Sequence, residues 1–234
     1  MLYFISRLVS DLDLEVNMTT EQNFKNITIF MIGDSTMANK PLEQEVECGW
    51  GQKLPEFVKE GIVVDNHAKN GRSSKSFLGE GLWEPVYNAI QPGDWVIIQF
   101  GHNDQKADEE RRTEPFTTYA DNLRFYVNQT REKGGNPILC TSIVRGKFED
   151  GVLQDTHGDY PKAAIQVAEE MNVPLLDLQK TTEKLVKELG SDNLKKFYVP
   201  HDVTHLSPWG ATQVAQMACE EIKRLNIGLA EYLK

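Results

Sequence analysis

At 234 residues, 40% of them hydrophobic and 26% charged, the chain is long enough to bury the core of one domain and too evenly mixed to be disordered or fibrous. Its formal net charge of −10 argues against a nucleic-acid partner, which needs a basic face to displace phosphate counterions. No apolar run reaches the length of about 18 residues that a membrane span needs, and Cys48, Cys140 and Cys219 are odd in number with no CxxC pair, so no membrane role, disulfide framework or zinc knuckle is expected.

The opening stretch MLYFISRLVSDLDLEV lacks the basic start and the small-residue cleavage site of a secretory signal. With three dispersed cysteines, this points to a reducing, cytoplasmic compartment. Residues 1–25 read as an N-terminal extension, with Met18 as the native start, and 26–234 as a single domain without repeat or linker. N-x-T sequons at Asn17, Asn26 and Asn128 carry weight only in a secreted protein.

In chain order, a first strand over 26–32 runs through ITIFMI and stops at GDST, 33–36. A helix near 50–60 leads to a strand at 62–68, followed by KNGRSSKS, 69–76. A helix near 83–90 precedes the strand 94–100, which ends at GHND, 101–104. Next come a helix at 116–133, a strand at 137–144, a helix at 160–172, a strand at 173–178 and a helix at 180–190. HDVTH, 201–205, then precedes a last helix for which Ser207 suits the N-cap and Pro208 the first helical position. Strands alternating with helices predict an α/β fold on a parallel sheet of about five strands.

In such a sheet, ligands bind beyond the carboxyl ends of the strands, and the four polar clusters fall there. Each has a plain reading: a Gly-Asp-Ser turn is most often a cap, and NGRSS and GHND read as loops. His201, Asp202 and His205 have the spacing of a helical metal pair with a third ligand, but Pro200, Val203, Thr204 and Pro208 make the segment a loop, where that spacing brings no two imidazoles together. A serine esterase needs a hydroxyl, a base, a group to orient the base and donors for the oxyanion. Ser35 supplies the first, and Asp202 with His205, three residues apart, the next two. The nucleophile elbow G-x-S-x-G is absent.

Taken together, GDST (33–36), GWGQ (49–52), NHAKNGRSSKSF (66–77), GHND (101–104), HGDYPKA (157–163) and DVTHLSPWGA (202–211) resemble, in order and spacing, the SGNH hydrolases of the GDSL type, and among them the rhamnogalacturonan acetylesterase family. The resemblance implies a three-layer α/β/α sandwich of flavodoxin-like order. It implies Ser35, Asp202 and His205 as catalytic residues, with the Ser35 N–H, the Gly71 N–H and the Asn103 amide as oxyanion hole. Having no Cβ, Gly71 is expected to let its N–H approach an oxyanion closely. This chemistry calls for no metal or organic cofactor. The implied substrate is an acetylated oligo- or polysaccharide, and first of all acetylated rhamnogalacturonan.

Lys69, Arg72, Lys75, Lys106, Arg111 and Arg112 crowd the loops of the expected site, partly offset by Asp108, Glu109 and Glu110. They read as an attraction for a polyanionic backbone, with Arg72, Lys75 and Trp209 as substrate contacts. The alternatives are an acetylxylan esterase, a lipase, lysophospholipase or thioesterase whose acyl trough would use Phe77, Leu78, Leu82, Trp83 and Trp209, and a non-catalytic carbohydrate-binding relative, which should have lost Ser35, Asp202 or His205.

Overall fold

The computed structural model describes residues 27–41 and 46–234. The expected N-terminal extension, the start at Met18, the sequons at Asn17 and Asn26, and the first residue of the first expected strand lie outside the described residues. The described chain forms strands β1 (Thr28–Gly33), β2 (Val63–Asn66), β3 (Trp95–Gln99), β4 (Asn136–Cys140), β5 (Phe148–Glu149), β6 (Val152–Leu153) and β7 (Leu175–Leu176). Its helices are α1 (Trp50–Lys53), α2 (Ser74–Gly79), α3 (Trp83–Ala89), α4 (Ala120–Glu132), α5 (Tyr160–Met171), α6 (Leu178–Leu189), α7 (Leu194–Phe197) and α8 (Pro208–Arg224).

Five strands pair in parallel in the order β2-β1-β3-β4-β7, while β5 and β6 form a separate antiparallel hairpin. The twofold alternation of a strand decides which layer each residue feeds. From β1, Ile29 and Met31 enter a core shared with α1, α6 and α8, and Phe30 and Ile32 enter a second core shared with α2, α3, α4 and α5. Both faces of the sheet are therefore covered over its inner strands β1, β3 and β4, which are mostly apolar rather than alternating, while the edge strand β2, VVDN, stays partly exposed. The result is the expected three-layer α/β/α sandwich.

Helix α1 packs on one face and α4 on the other, so the connections leaving β1 and β3 run to opposite sides. The crevice that this opens lies beyond the carboxyl ends of β1 and β3, at the topological switch point. All five expected strands are present and shorter than expected, although β1 runs on to Gly33 and β4 starts at Asn136, each one residue outside its expected range. The helix expected at 50–60 is one turn of α-helix followed by a 3-10 turn, Leu54–Phe57. Helix α2 and the β5–β6 hairpin are structure where loops were expected. No helix among the described residues is long and apolar enough to cross a membrane.

Candidate active site

Beyond β1 the chain turns sharply, and Asp34 makes the turn. Its Oδ1 accepts from the Thr36 N–H at 2.9 Å and from the Thr36 hydroxyl at 2.8 Å, while its carbonyl accepts from the Met37 and Ala38 N–H groups. This Asx-type turn leaves Ser35 between two fixed residues with its side chain at the sheet edge. Below it, Trp50 Nε1 donates to Gln99 Oε1 at 2.8 Å and Gln99 Nε2 donates to Thr36 Oγ1 at 2.7 Å, so a buried line of hydrogen bonds runs from α1 through β3 to the turn.

His205 reaches the same point from the other end of the chain. A bridge between Tyr198 and Leu206 closes residues 199–205 into a loop, and the Val199 N–H donates to the His205 carbonyl inside it. Ser207 then caps α8 by accepting from the Gly210 N–H at 3.0 Å. His205 Nδ1 lies 2.7 Å from Asp202 Oδ2, and its Nε2 lies 3.1 Å from Ser35 Oγ. A carboxylate can only accept, so Nδ1 carries the ring proton and Nε2 presents a lone pair to the serine hydroxyl. Asp202 Oδ1 also accepts from the backbone N–H groups of Thr204 and His205. Burial works to raise the Asp202 pKa, but the hydrogen bonds from His205 and these N–H groups outweigh it and hold the carboxyl below its ordinary value.

Gly71 lies beyond β2 and Asn103 beyond β3, the two neighbours of β1 in the sheet. The Lys69 N–H donates to the Gly33 carbonyl and Asn103 Nδ2 donates to the Arg72 carbonyl at 3.1 Å, which ties both loops to the end of β1. Neither the Ser35 nor the Gly71 N–H has a protein acceptor among the described residues. The reason for a glycine at 71 differs from the one expected. A Cβ there would meet no protein atom within 4 Å, and what excludes other residues is its φ of +77°.

The loop cations have local partners. Arg72 meets Glu80 at 2.7 Å, Arg111 meets Asp108 at 2.7 Å, Arg112 meets Glu114 at 2.8 Å, and Lys75 donates to the Glu109 carbonyl at 2.5 Å. Lys69 and Lys106 have no acidic partner among the described residues. Trp209 packs edge-on to Phe197 and beneath the Lys196 ammonium. Phe77 and Trp83 are buried in the second core, so these two do not line an open trough, while Leu78 and Leu82 are partly buried at its margin.

Two residues of this region were not legible as site residues in the sequence. Asp34 passes there as a turn residue, and His102 as part of a loop, yet Asp34 Oδ2 and His102 Nδ1 lie 2.9 Å apart in the interior. Their adjacency in motif to Ser35 and Asn103 is the only signal the sequence offers.

Residues 31–212 match the profile of the GDSL-like lipase/acylhydrolase family. The rhamnogalacturonan acetylesterase RhgT of Bacillus subtilis is 37% identical over 223 residues, 89% of this chain and 95% of that protein. Among solved structures, the Bacillus subtilis protein YxiM matches with a TM-score of 0.79 at 29% identity, over 87% of this chain and 58% of that one, so this chain spans little more than half of it. The acetylxylan esterase Axe2 of Geobacillus stearothermophilus matches with a TM-score of 0.64 at 25% identity, over 84% and 94% of the two chains.

Proposed function

This chain belongs to the GDSL-like lipase/acylhydrolase family, and from that premise we propose that it is a carbohydrate O-acetylesterase acting on acetylated rhamnogalacturonan, with Ser35 as nucleophile, His205 as general base and acid, and Asp202 orienting the imidazole. The observation that carries the reading is the unbroken hydrogen-bonded line from Asp202 through His205 to Ser35 Oγ. A hydroxyl aimed at an unprotonated imidazole nitrogen loses its proton as it attacks.

In this mechanism Ser35 Oγ attacks the acetyl carbonyl while His205 Nε2 takes the hydroxyl proton. The Ser35 and Gly71 N–H groups and the Asn103 amide hold the oxyanion, and Asn103 does so with its second amide hydrogen, since the first is given to Arg72. Collapse expels the sugar oxygen, to which His205 returns the proton. Water, deprotonated by the same imidazole, then attacks the acetyl-enzyme and releases acetate. The depressed Asp202 stays anionic throughout and balances the imidazolium.

Acetyl rather than long-chain acyl is supported by the burial of Phe77 and Trp83, which removes two of the residues a trough would need. A pectic rather than a xylan backbone is supported by the relative at 37% identity, against 25% for the acetylxylan esterase. With Arg72, Arg111 and Arg112 neutralised locally, attraction of a polyanion falls to Lys69, Lys75 and Lys106, since the carbonyl that Lys75 meets leaves its charge uncompensated. The test is acetate release from acetylated rhamnogalacturonan oligosaccharides, acetylated xylan and a long-chain ester by wild type, Ser35→Ala and Asn103→Ala. Release should be strongest on the pectic substrate, vanish in Ser35→Ala and fall about 10²- to 10³-fold in Asn103→Ala. Equal release from xylan would remove the substrate assignment, and release surviving in Ser35→Ala would remove the nucleophile.

A further inference from the structure

Two histidine–aspartate pairs meet at this site, and they differ in access to water. His205 and Asp202 have side chains 34% and 31% exposed, whereas those of His102 and Asp34 are 3% and 0% exposed. The buried pair does not touch Ser35 Oγ. Its contacts run instead to the backbone that carries the reacting groups.

Asp34 precedes Ser35 and makes the turn that presents it, and His102 precedes Asn103. His102 Nδ1 meets Asp34 Oδ2 at 2.9 Å and its Nε2 meets the Ile143 carbonyl at 3.0 Å. A carbonyl only accepts, so Nε2 carries a proton. On the Asp34 side, burial would raise the carboxyl's pKa, but His102 and the Thr36 hydrogen bonds outweigh it and hold it below its ordinary value. The ring therefore pins the ends of three strands, β1 through Asp34, β3 through its own backbone and β4 through Ile143.

From Ile143 the tie continues to the second pair. Tyr198, whose backbone bridges Leu206, donates its hydroxyl to the Val144 carbonyl at 2.7 Å, and the Gly146 N–H donates to the Val203 carbonyl at 2.8 Å, between Asp202 and His205. Arg145 holds the same stretch by donating to the His102 carbonyl at 3.1 Å, and the His157 ring covers His102 at a centroid distance of 4.9 Å.

We infer that His102, paired with Asp34, is a positioning residue that sets Ser35, Asn103 and the Asp202–His205 loop at their working separations. The inference rests on the proposed roles of those residues. It assigns the buried pair no proton transfer, because neither member faces solvent or the nucleophile's hydroxyl.

The experiment compares wild type, His102→Gln, Asp34→Asn and the double variant on p-nitrophenyl acetate, a small ester that needs no carbohydrate recognition. Each folded variant should lose about tenfold to a hundredfold in kcat, the scale of a small misplacement of reacting groups, with KM within about threefold and the acid limb of the pH–rate profile unmoved. Losses in the double variant should fall well short of the product of the single ones, since both break one link. Where a single variant does not fold, because one charge is left buried alone, the neutral double variant decides. A folded His102→Gln with kcat within about threefold of wild type would overturn the inference, and so would an acid limb that moves with the substitution, since that would put His102 in the proton path. Ser35→Ala on the same ester separates the two readings: turnover surviving there refutes the nucleophile, whatever His102→Gln does.

Discussion

His157 has no hydrogen-bond partner at either ring nitrogen among the described residues, although it is buried. Burial, with the charges of His102 and Arg145 beside it, pushes its pKa down to about 2. In the unfolded chain a histidine titrates near 6.5, so between these values the unfolded state holds a proton that the folded state refuses. Stability is then complete above about pH 6.5 and falls on acidification, by about 1.4 kcal/mol per pH unit for this one group. His157→Phe, neutral at every pH, should make the dependence of unfolding free energy on pH between 6 and 4 shallower by that amount, measured by urea denaturation; an unchanged slope would mean that the folded protein protonates the ring. At this scale the sequence is readable where residue type alone carries the chemistry. Ser35, Asp202 and His205 stand out by type and spacing as hydroxyl, carboxylate and imidazole. His102 and His157 do not, because what matters about them is what surrounds them, and His102 meets its aspartate 68 residues away.

Helix α8 begins three residues after His205, and its docking sets where that imidazole stands. Gly210 makes the docking possible: a Cβ on it would lie 2.0 Å from the Phe197 carbonyl oxygen. In an exposed helix, replacing glycine by alanine stabilises by about 1 kcal/mol. Here Gly210→Ala should destabilise by about 2 kcal/mol, because the helix must shift away from α7, and a denaturation midpoint equal to or above that of wild type would contradict the packing described. The inner strands and the long helices were legible because two-sided burial makes a strand mostly apolar and one-sided burial gives a helix its stripe. Helix α2 was not, since its capping box is built from Ser73 and Ser76 in a stretch of polar residues that reads as a loop. The β5–β6 hairpin did carry a signal, Asp150-Gly151, and both residues adopt the positive φ of a tight primed turn. Its strands of two residues each are too short to show alternation around that signal.

Across the whole molecule, the two cores differ in one testable way. Cys48, Cys140 and Cys219 are all free and all lie in the layer built on α1, α6 and α8. Burial pushes the thiol pKa of Cys219 up to about 12, and raises those of Cys140 and Cys48. A thiol reagent such as DTNB at pH 8 should therefore find the native protein nearly inert and titrate all three cysteines only as it unfolds, at a rate following the opening of that layer. Fast reaction of one thiol in the native state would reveal that the layer opens by itself. The hydrogen bond between Ser35 and His205 joins residues 170 positions apart. On the ribosome, β1 to β4 are made and free to pair while the imidazole proposed to activate the serine has yet to be synthesised. If the proposed roles of these residues hold, catalytic power arrives in one late step, when residues 202–205 leave the exit tunnel and close over the end of the first strand.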